Sequence, residues 1–396
     1  MNPFPPASRS ASPARVYWTA FIGLFFDYYD LYLFVYLEKV LAAQFALSPA
    51  ASNALQFTGL AGVGVGALGF GYLADRFGRG RMMLAVFGVY ALGIAGLSLA
   101  RDYPSLLVFR LVASLALGAE WGISHAFMSE HVDRERRYRF AAWLQFAILG
   151  GLLAALLSRF VLPVVGWRWL FAASIVPVAV LSAVRGRWLA AATAEEGAKV
   201  GDGKSEIGKR RSVIGIGRAV RENLPAFLRC FGIASLTIAS GTVNVFFAKE
   251  LPQSPVYTVF FWANIAPGML LGAWVVRRAG VRRALLGYAV ALVALSAFAW
   301  TSAWEGRKLA FAFALPLLNG IPFGLMGAYF NEVFGAYRTM LSGAAYNLGR
   351  ILAGFAPVLI TGLGLNAGGH YFLFTAALGL AVLVIGLWIH EPARHS

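Results

Sequence analysis

Apolar stretches separated by short polar segments run the length of the chain. They fall at 16–40, 52–74, 82–100, 104–129, 139–162, 167–188, 222–250, 255–276, 284–302, 308–332, 339–364 and 369–390. Crossing a bilayer takes about 20 mostly apolar residues, and each of these twelve stretches is near that length. In hydrocarbon every backbone N–H and C=O must find a partner within its own segment, so each stretch is expected to be a helix. Pro49, Pro104, Pro225, Pro255 and Pro392 fall at or near the ends, where proline costs a helix least. Residues 189–221 break the rhythm, being rich in Gly, Lys, Arg and Glu without a long apolar run. The expected organisation is a tail over 1–15, a six-helix bundle over 16–188, a linker over 189–221, a second bundle over 222–390 and a tail over 391–396. This is an all-α integral membrane fold of twelve transmembrane helices in two pseudo-symmetric bundles.

Composition narrows the class. Hydrophobic residues make up 59% of the 396 and charged residues only 13%, against about a quarter charged in soluble domains. The single cysteine, Cys230, excludes an intrachain disulfide. The N-terminal tail has no secretory character, and the first apolar stretch holds Asp27 and Asp30, which a cleaved signal would not. The formal net charge of +16 would suit a nucleic-acid partner if it were spread evenly. It is not. With the N-terminus placed inside, 24 of the 34 Lys and Arg residues fall on inner segments, as retention of positive charge requires. Both termini are therefore expected to be cytoplasmic in a multi-pass cell-membrane protein, with the bilayer as partner and no nucleic acid.

The halves repeat. Gly78 and Gly280 are 202 residues apart, and the same offset pairs Gly118 with Gly320, Gly122 with Gly324, Glu130 with Glu332, and Arg136 with Arg338. A duplicated unit of the same orientation in both copies is a transporter architecture.

Gly71-x-x-x-Asp75-Arg76-x-Gly78-Arg79-x-Arg81 resembles the signature loop of the major facilitator superfamily between its second and third helices. Arg110-x-x-x-Ser114-x-x-x-Gly118 resembles that family's fourth-helix pattern, with Ser where Gly is usual, and Trp167-Arg168-Trp169-Leu170-Phe171 resembles the start of its sixth helix. Within the family, Asp27-Tyr28-Tyr29-Asp30, Gly118-Ala119-Glu120-Trp121-Gly122 and Tyr346-Asn347-x-x-Arg350 resemble the proton-coupled metabolite and organic-acid symporters. Gly150-Gly151 in the fifth span has no proline beside it, which departs from the antiporter pattern. The resemblance implies an inner gate made of Gly71, Asp75, Arg76, Gly78, Arg79, Arg81, Glu130, Glu332 and Arg338. In it Asp75 sits at the N-terminus of the eleventh helix, favoured by the helix dipole, and the arginines pair with Glu130. Arg277 stands where the first copy has Asp75, so the gate is expected to be asymmetric.

Charges inside a span cost about 2.5–3.5 kcal/mol each on insertion scales, so the few present are functional candidates. Asp27 and Asp30 share a helical face, and with Glu120 they are the candidate proton-coupling groups. Arg110 and Arg350 suit bidentate binding of a substrate carboxylate. Trp121, Tyr28 and Phe34 can pack its apolar part, and Asn347 and Asn244 can supply amides. The resemblance directs Asp27, Asp30, Arg110 and Trp121 to a central cavity. The competing reading, that the aspartates merely bridge Arg110 or Arg350, stays open, as does a packing role for His125.

A membrane enzyme would need a motif such as His-Glu-x-x-His or Gly-x-Ser-x-Gly, and neither occurs. No cofactor or metal is expected. The reading is a secondary transporter working by alternating access and functional as a monomer, with proton-coupled symport of a small organic acid. Transport of a neutral sugar or polyol is the alternative, and a transporter-like sensor is the reading from another class.

Overall fold

A computed structural model describes residues 13–199, 216–243, 255–304, 306–335, 337–365 and 369–389. Among these residues the chain is helical, with no strand. The helices are α1 Pro13–Gln44, α2 Pro49–Phe77, α3 Arg79–Leu99, α4 Tyr103–His131, α5 Arg137–Gln145, α6 Gly150–Phe160, α7 Leu162–Val165, α8 Trp167–Lys199, α9 Ile216–Thr242, α10 Pro255–Ala279, α11 Val281–Thr301, α12 Arg307–Val333, α13 Arg338–Ala353, α14 Ala356–Gly362 and α15 Tyr371–Leu387. Ten helical segments are long and apolar enough to cross a membrane, with Tyr371–Leu387 a shorter apolar helix. Counting α5 with α6 as one segment, α13 with α14 as another, and adding α10 gives the twelve of the predicted fold.

Three of the expected spans differ in detail. The fifth is interrupted by a 3₁₀ turn at Phe146–Leu149, just before Gly150, whose bare Cα lies against the Phe25 carbonyl and the Tyr29 nitrogen of α1. The eleventh breaks between Ala353 and Ala356, at Gly354. The sixth runs on to Lys199, so helix occupies the start of the expected linker, and α9 resumes at Ile216.

Helix ends follow local chemistry. Ser48 caps α2 by accepting from the Ala51 N–H, with Pro49 at the first position, where its missing donor costs nothing. At α4 a capping box joins Asp102 and Ser105. The Ser105 side chain and backbone hold the Asp102 carboxyl below the usual carboxylate range. The turns from α2 to α3 and from α10 to α11 are single glycines, Gly78 and Gly280, at φ of 96° and 93°. No side chain with a Cβ enters that region cheaply.

The internal repeat extends to packing. Helix α2 lies closely on α4, and α10 on α12. A methyl on Gly118 would overlap the Val63 carbonyl, and one on Gly320 would overlap the Ile265 carbonyl. Those carbonyls are also 202 residues apart. Small residues here let two backbones touch, the geometry that holds helices together where lipid supplies no hydrophobic drive. Gly118→Ala is therefore expected to cost about 1–3 kcal/mol through overpacking, read as a lower unfolding temperature in detergent. An unchanged midpoint would refute this account of the crossing.

By contact the chain forms two compact units. Among the described residues, unit one draws on 13–137, 147–199, 216–223 and 334–344, and unit two on 138–146, 224–243, 255–333 and 345–389. The first turns of α13 thus belong with the first half of the sequence.

Candidate functional site

In unit one, α1 and α4 carry the intramembrane charges. Asp27, Asp30, Arg110 and Glu120 are all buried, and Asp30 is fully enclosed. The Arg110 guanidinium carbon sits 3.7 Å from the centre of the Phe34 ring. On α2, Gly59 leaves the space that the guanidinium fills, for a Cβ there would come within 2.7 Å of Arg110 Nε. The cation is held by an aromatic face and a bare stretch of helix. A desolvated contact of that kind contributes about 2 kcal/mol. Its charge acts on Asp30, and the Tyr90 hydroxyl of α3 faces the same carboxyl. Yet Arg110 has no acidic group within 4.0 Å among the described residues. Asp30 and Arg110 are neighbours rather than a closed pair.

A cavity of about 10 Å³ lies beside them, lined by Asp27, Tyr90 and Glu120 with Gly23, Val86, Phe87, Ala116 and Leu117. Its size is close to that of one water molecule. Glu120 accepts a hydrogen bond from the Ser124 hydroxyl at 2.9 Å. Trp121 is fully buried, its ring centre 4.5 Å from that of His125, and Tyr28 is buried as well. Phe34, read in the sequence as a packing surface for substrate, is fully buried with its face on Arg110. The sequence alone does not assign Gly59 or Tyr90 to this site. The glycine-rich α2 signalled close packing without saying that a cation fills the gap, and a lone tyrosine on α3 carries no signal.

Unit two has a different polar centre. The Asn319 side-chain oxygen accepts from the Tyr288 hydroxyl at 2.9 Å and from Ser240 at 3.0 Å. This network is neutral and buried. Asn347 is fully buried, while Arg350 is half-buried, its guanidinium 5.0 Å from the Tyr346 ring centre. Asn244 lies outside the described residues.

The signature loop forms a compact polar cluster in unit one. The Asp75 carboxylate accepts from Arg79 at 2.7 Å, from the Met340 N–H at 2.9 Å and from the Thr339 N–H at 3.2 Å. It thus caps the first turn of α13, where the helix dipole favours a negative charge. Arg79 also reaches Glu130 at 3.1 Å and donates to the Thr339 hydroxyl at 3.1 Å. Gly71 lies against the Met340 backbone, and Gly122 against Gly343 and the Thr339 carbonyl. The charge of Arg338 faces Glu130 and Asp75. Of the loop arginines only Arg79 pairs with Glu130. Arg76 is exposed and reaches the Tyr72 hydroxyl, and Arg81 is exposed. They stand on the outer side of the turn that Gly78 makes, so the pairing expected for all three holds for one. In the second copy Glu332 accepts from Tyr138 at 2.7 Å, and Arg277 is exposed.

The Major Facilitator Superfamily model matches residues 20–357. The chain belongs to that superfamily. Its members are transporters, so this is a multi-pass membrane transporter of small molecules and not an enzyme. The niacin transporter NiaP of Acinetobacter baylyi is 27% identical over 95% of this chain and 93% of its own length. The cis,cis-muconate transport protein of the same organism is 26% identical over 93% and 91%. Among solved structures, the proton:xylose symporter XylE superposes with a TM-score of 0.75 over 97% of both chains at 18% identity, a likeness of fold.

Proposed function

We propose that the protein is a proton-coupled symporter of a small organic acid, with Arg110 receiving the substrate carboxylate and Asp30 carrying the proton. The observation that carries this reading is the buried Arg110 guanidinium, oriented by Phe34 and close to Asp30 without an ion pair to it. A carboxylate entering that site would compete with Asp30 for the cation, and protonating Asp30 would free the cation for it. Binding of acid and proton would then favour each other, which is the coupling a symporter needs. Arg350 and Asn347 supply the corresponding anion-binding groups in unit two, and Asp27 and Glu120 assist the proton. Two relatives that align over nearly the whole chain are named for niacin and cis,cis-muconate, both carboxylates, which supports the anion over a neutral sugar.

The bundles of residues 16–188 and 222–390 would alternate access about the site, with both termini cytoplasmic and one chain sufficient. The cluster around Asp75 serves as the cytoplasmic latch, made in one state and parted in the other.

The test is uptake of carboxylates by proteoliposomes under an imposed pH gradient. Asp30→Asn is expected to abolish gradient-driven accumulation while leaving exchange of internal for external substrate measurable. Accumulation at the parent level would remove Asp30 from the proton's path. Accumulation of sugars but of no carboxylate would overturn the substrate class.

A further inference from the structure

We propose that the turn joining α10 to α11 is a docking surface for the headgroups of anionic phospholipids. Residues Val276–Arg283 carry Arg277, Arg278, Arg282 and Arg283, and all four side chains are exposed. The turn between the two helices is the single residue Gly280. Both helices are apolar and of spanning length, so four guanidinium groups stand together at one edge of the hydrocarbon. Neither helix contains an aspartate or glutamate. Arg282 and Arg283 lie in the first turn of α11, where the helix dipole adds to their charge instead of offsetting it.

Comparison with the first copy of the loop shows why this charge is not used internally. There Arg79 turns inward, held by Asp75 and Glu130. In the second copy Arg277 takes the place of Asp75 and the buried Val281 takes that of Arg79. Glu332, the counterpart of Glu130, accepts from Tyr138. Arg277, Arg278 and Arg283 form no ion pair within 4.0 Å among the described residues. The latch chemistry has been replaced by an outward-facing basic patch.

The occupant that fits is a lipid phosphate. A guanidinium binds a phosphodiester through two parallel hydrogen bonds. The exposed Trp274 ring lies 4.8 Å under Arg278, at the level where interfacial tryptophans sit among headgroups. Basic residues near an anionic leaflet each strengthen attachment several-fold. Retention of positive charge alone explains four arginines, but it predicts no preference among headgroups. The inference does not depend on which solute is carried.

The experiment uses the full-length protein from vesicles of phosphatidylcholine mixed with phosphatidylglycerol, with retained lipid counted by native mass spectrometry. The parent is expected to enrich phosphatidylglycerol over phosphatidylcholine. The triple variant Arg277→Gln, Arg278→Gln, Arg283→Gln is expected to lose that enrichment at least tenfold. The triple Arg→Lys variant, which keeps the retention signal, is expected to hold most of it. Equal retention of both lipids by the parent overturns the proposal, a result needing no variant to fold. So does unchanged enrichment in the glutamine variant, or displacement of all bound phosphatidylglycerol by millimolar inorganic phosphate.

Discussion

Arg110→Ala is expected to abolish carboxylate uptake and to weaken unit one. The guanidinium is the nearest positive charge to a fully enclosed Asp30, and it fills the volume between Phe34 and Gly59. Removing one member of a buried charge arrangement costs about 3–5 kcal/mol, because the other is left uncompensated in a low dielectric. Adding Asp30→Asn should recover most of that stability by removing the stranded charge, and should recover none of the uptake. Arg110→Lys separates the two roles. It keeps the charge and loses the planar fork that stacks on Phe34 and can grip a carboxylate with two hydrogen bonds. A smaller loss of stability than in the alanine variant is expected, with uptake lowered by tenfold or more. The measurements are thermal unfolding in detergent and initial uptake rates at matched protein density. An alanine variant transporting at more than a third of the parental rate would place the anion site elsewhere.

The second large effect is expected from Asp75→Ala. This carboxylate gathers Arg79, the Thr339 N–H and the Met340 N–H into one buried cluster. Without it, Arg79 keeps Glu130 and the first turn of α13 loses its acceptor. Hydrogen bonds to charged groups contribute about 1.5–3 kcal/mol each. Losing the cluster should therefore shift the latched population by on the order of 100-fold. A cysteine in place of the fully buried Ser342, in the same turn of α13, should become far more reactive toward a soluble thiol reagent in the Asp75→Ala background. Asp75→Asn, which keeps one acceptor oxygen, should fall between. Equal labelling rates across the three proteins would show that the cluster does not close this region.

Much of this architecture can be read from the sequence because bilayers impose simple rules. Twelve apolar stretches give twelve spanning segments, and two single-residue glycine turns mark the same joint in each half. The offset of 202 between Gly78 and Gly280 reappears in the carbonyls that Gly118 and Gly320 touch. What a linear pattern cannot carry is which neighbour a buried side chain meets. Phe34 shares a helical face with Asp30, and that much follows from spacing, but its engagement by Arg110 depends on how α1 and α4 cross. Ser240, Tyr288 and Asn319 come from three helices, so nothing local links them. Arg76, Arg79 and Arg81 are equivalent in charge, and only the path of the turn at Gly78 selects Arg79. The breaks at Phe146–Leu149 and Gly354 were hidden for a related reason. Hydropathy is blind to a change from α to 3₁₀ geometry when the residues stay apolar.

Helix α13 begins in one compact unit and ends in the other, with the division between Ala344 and Ala345. A stiff rod anchored at both ends to different bodies cannot travel as a passenger of both. In the alternating-access cycle proposed above, either its first two turns let go of Asp75, Gly71 and Gly122, or the rod itself flexes near Ala344.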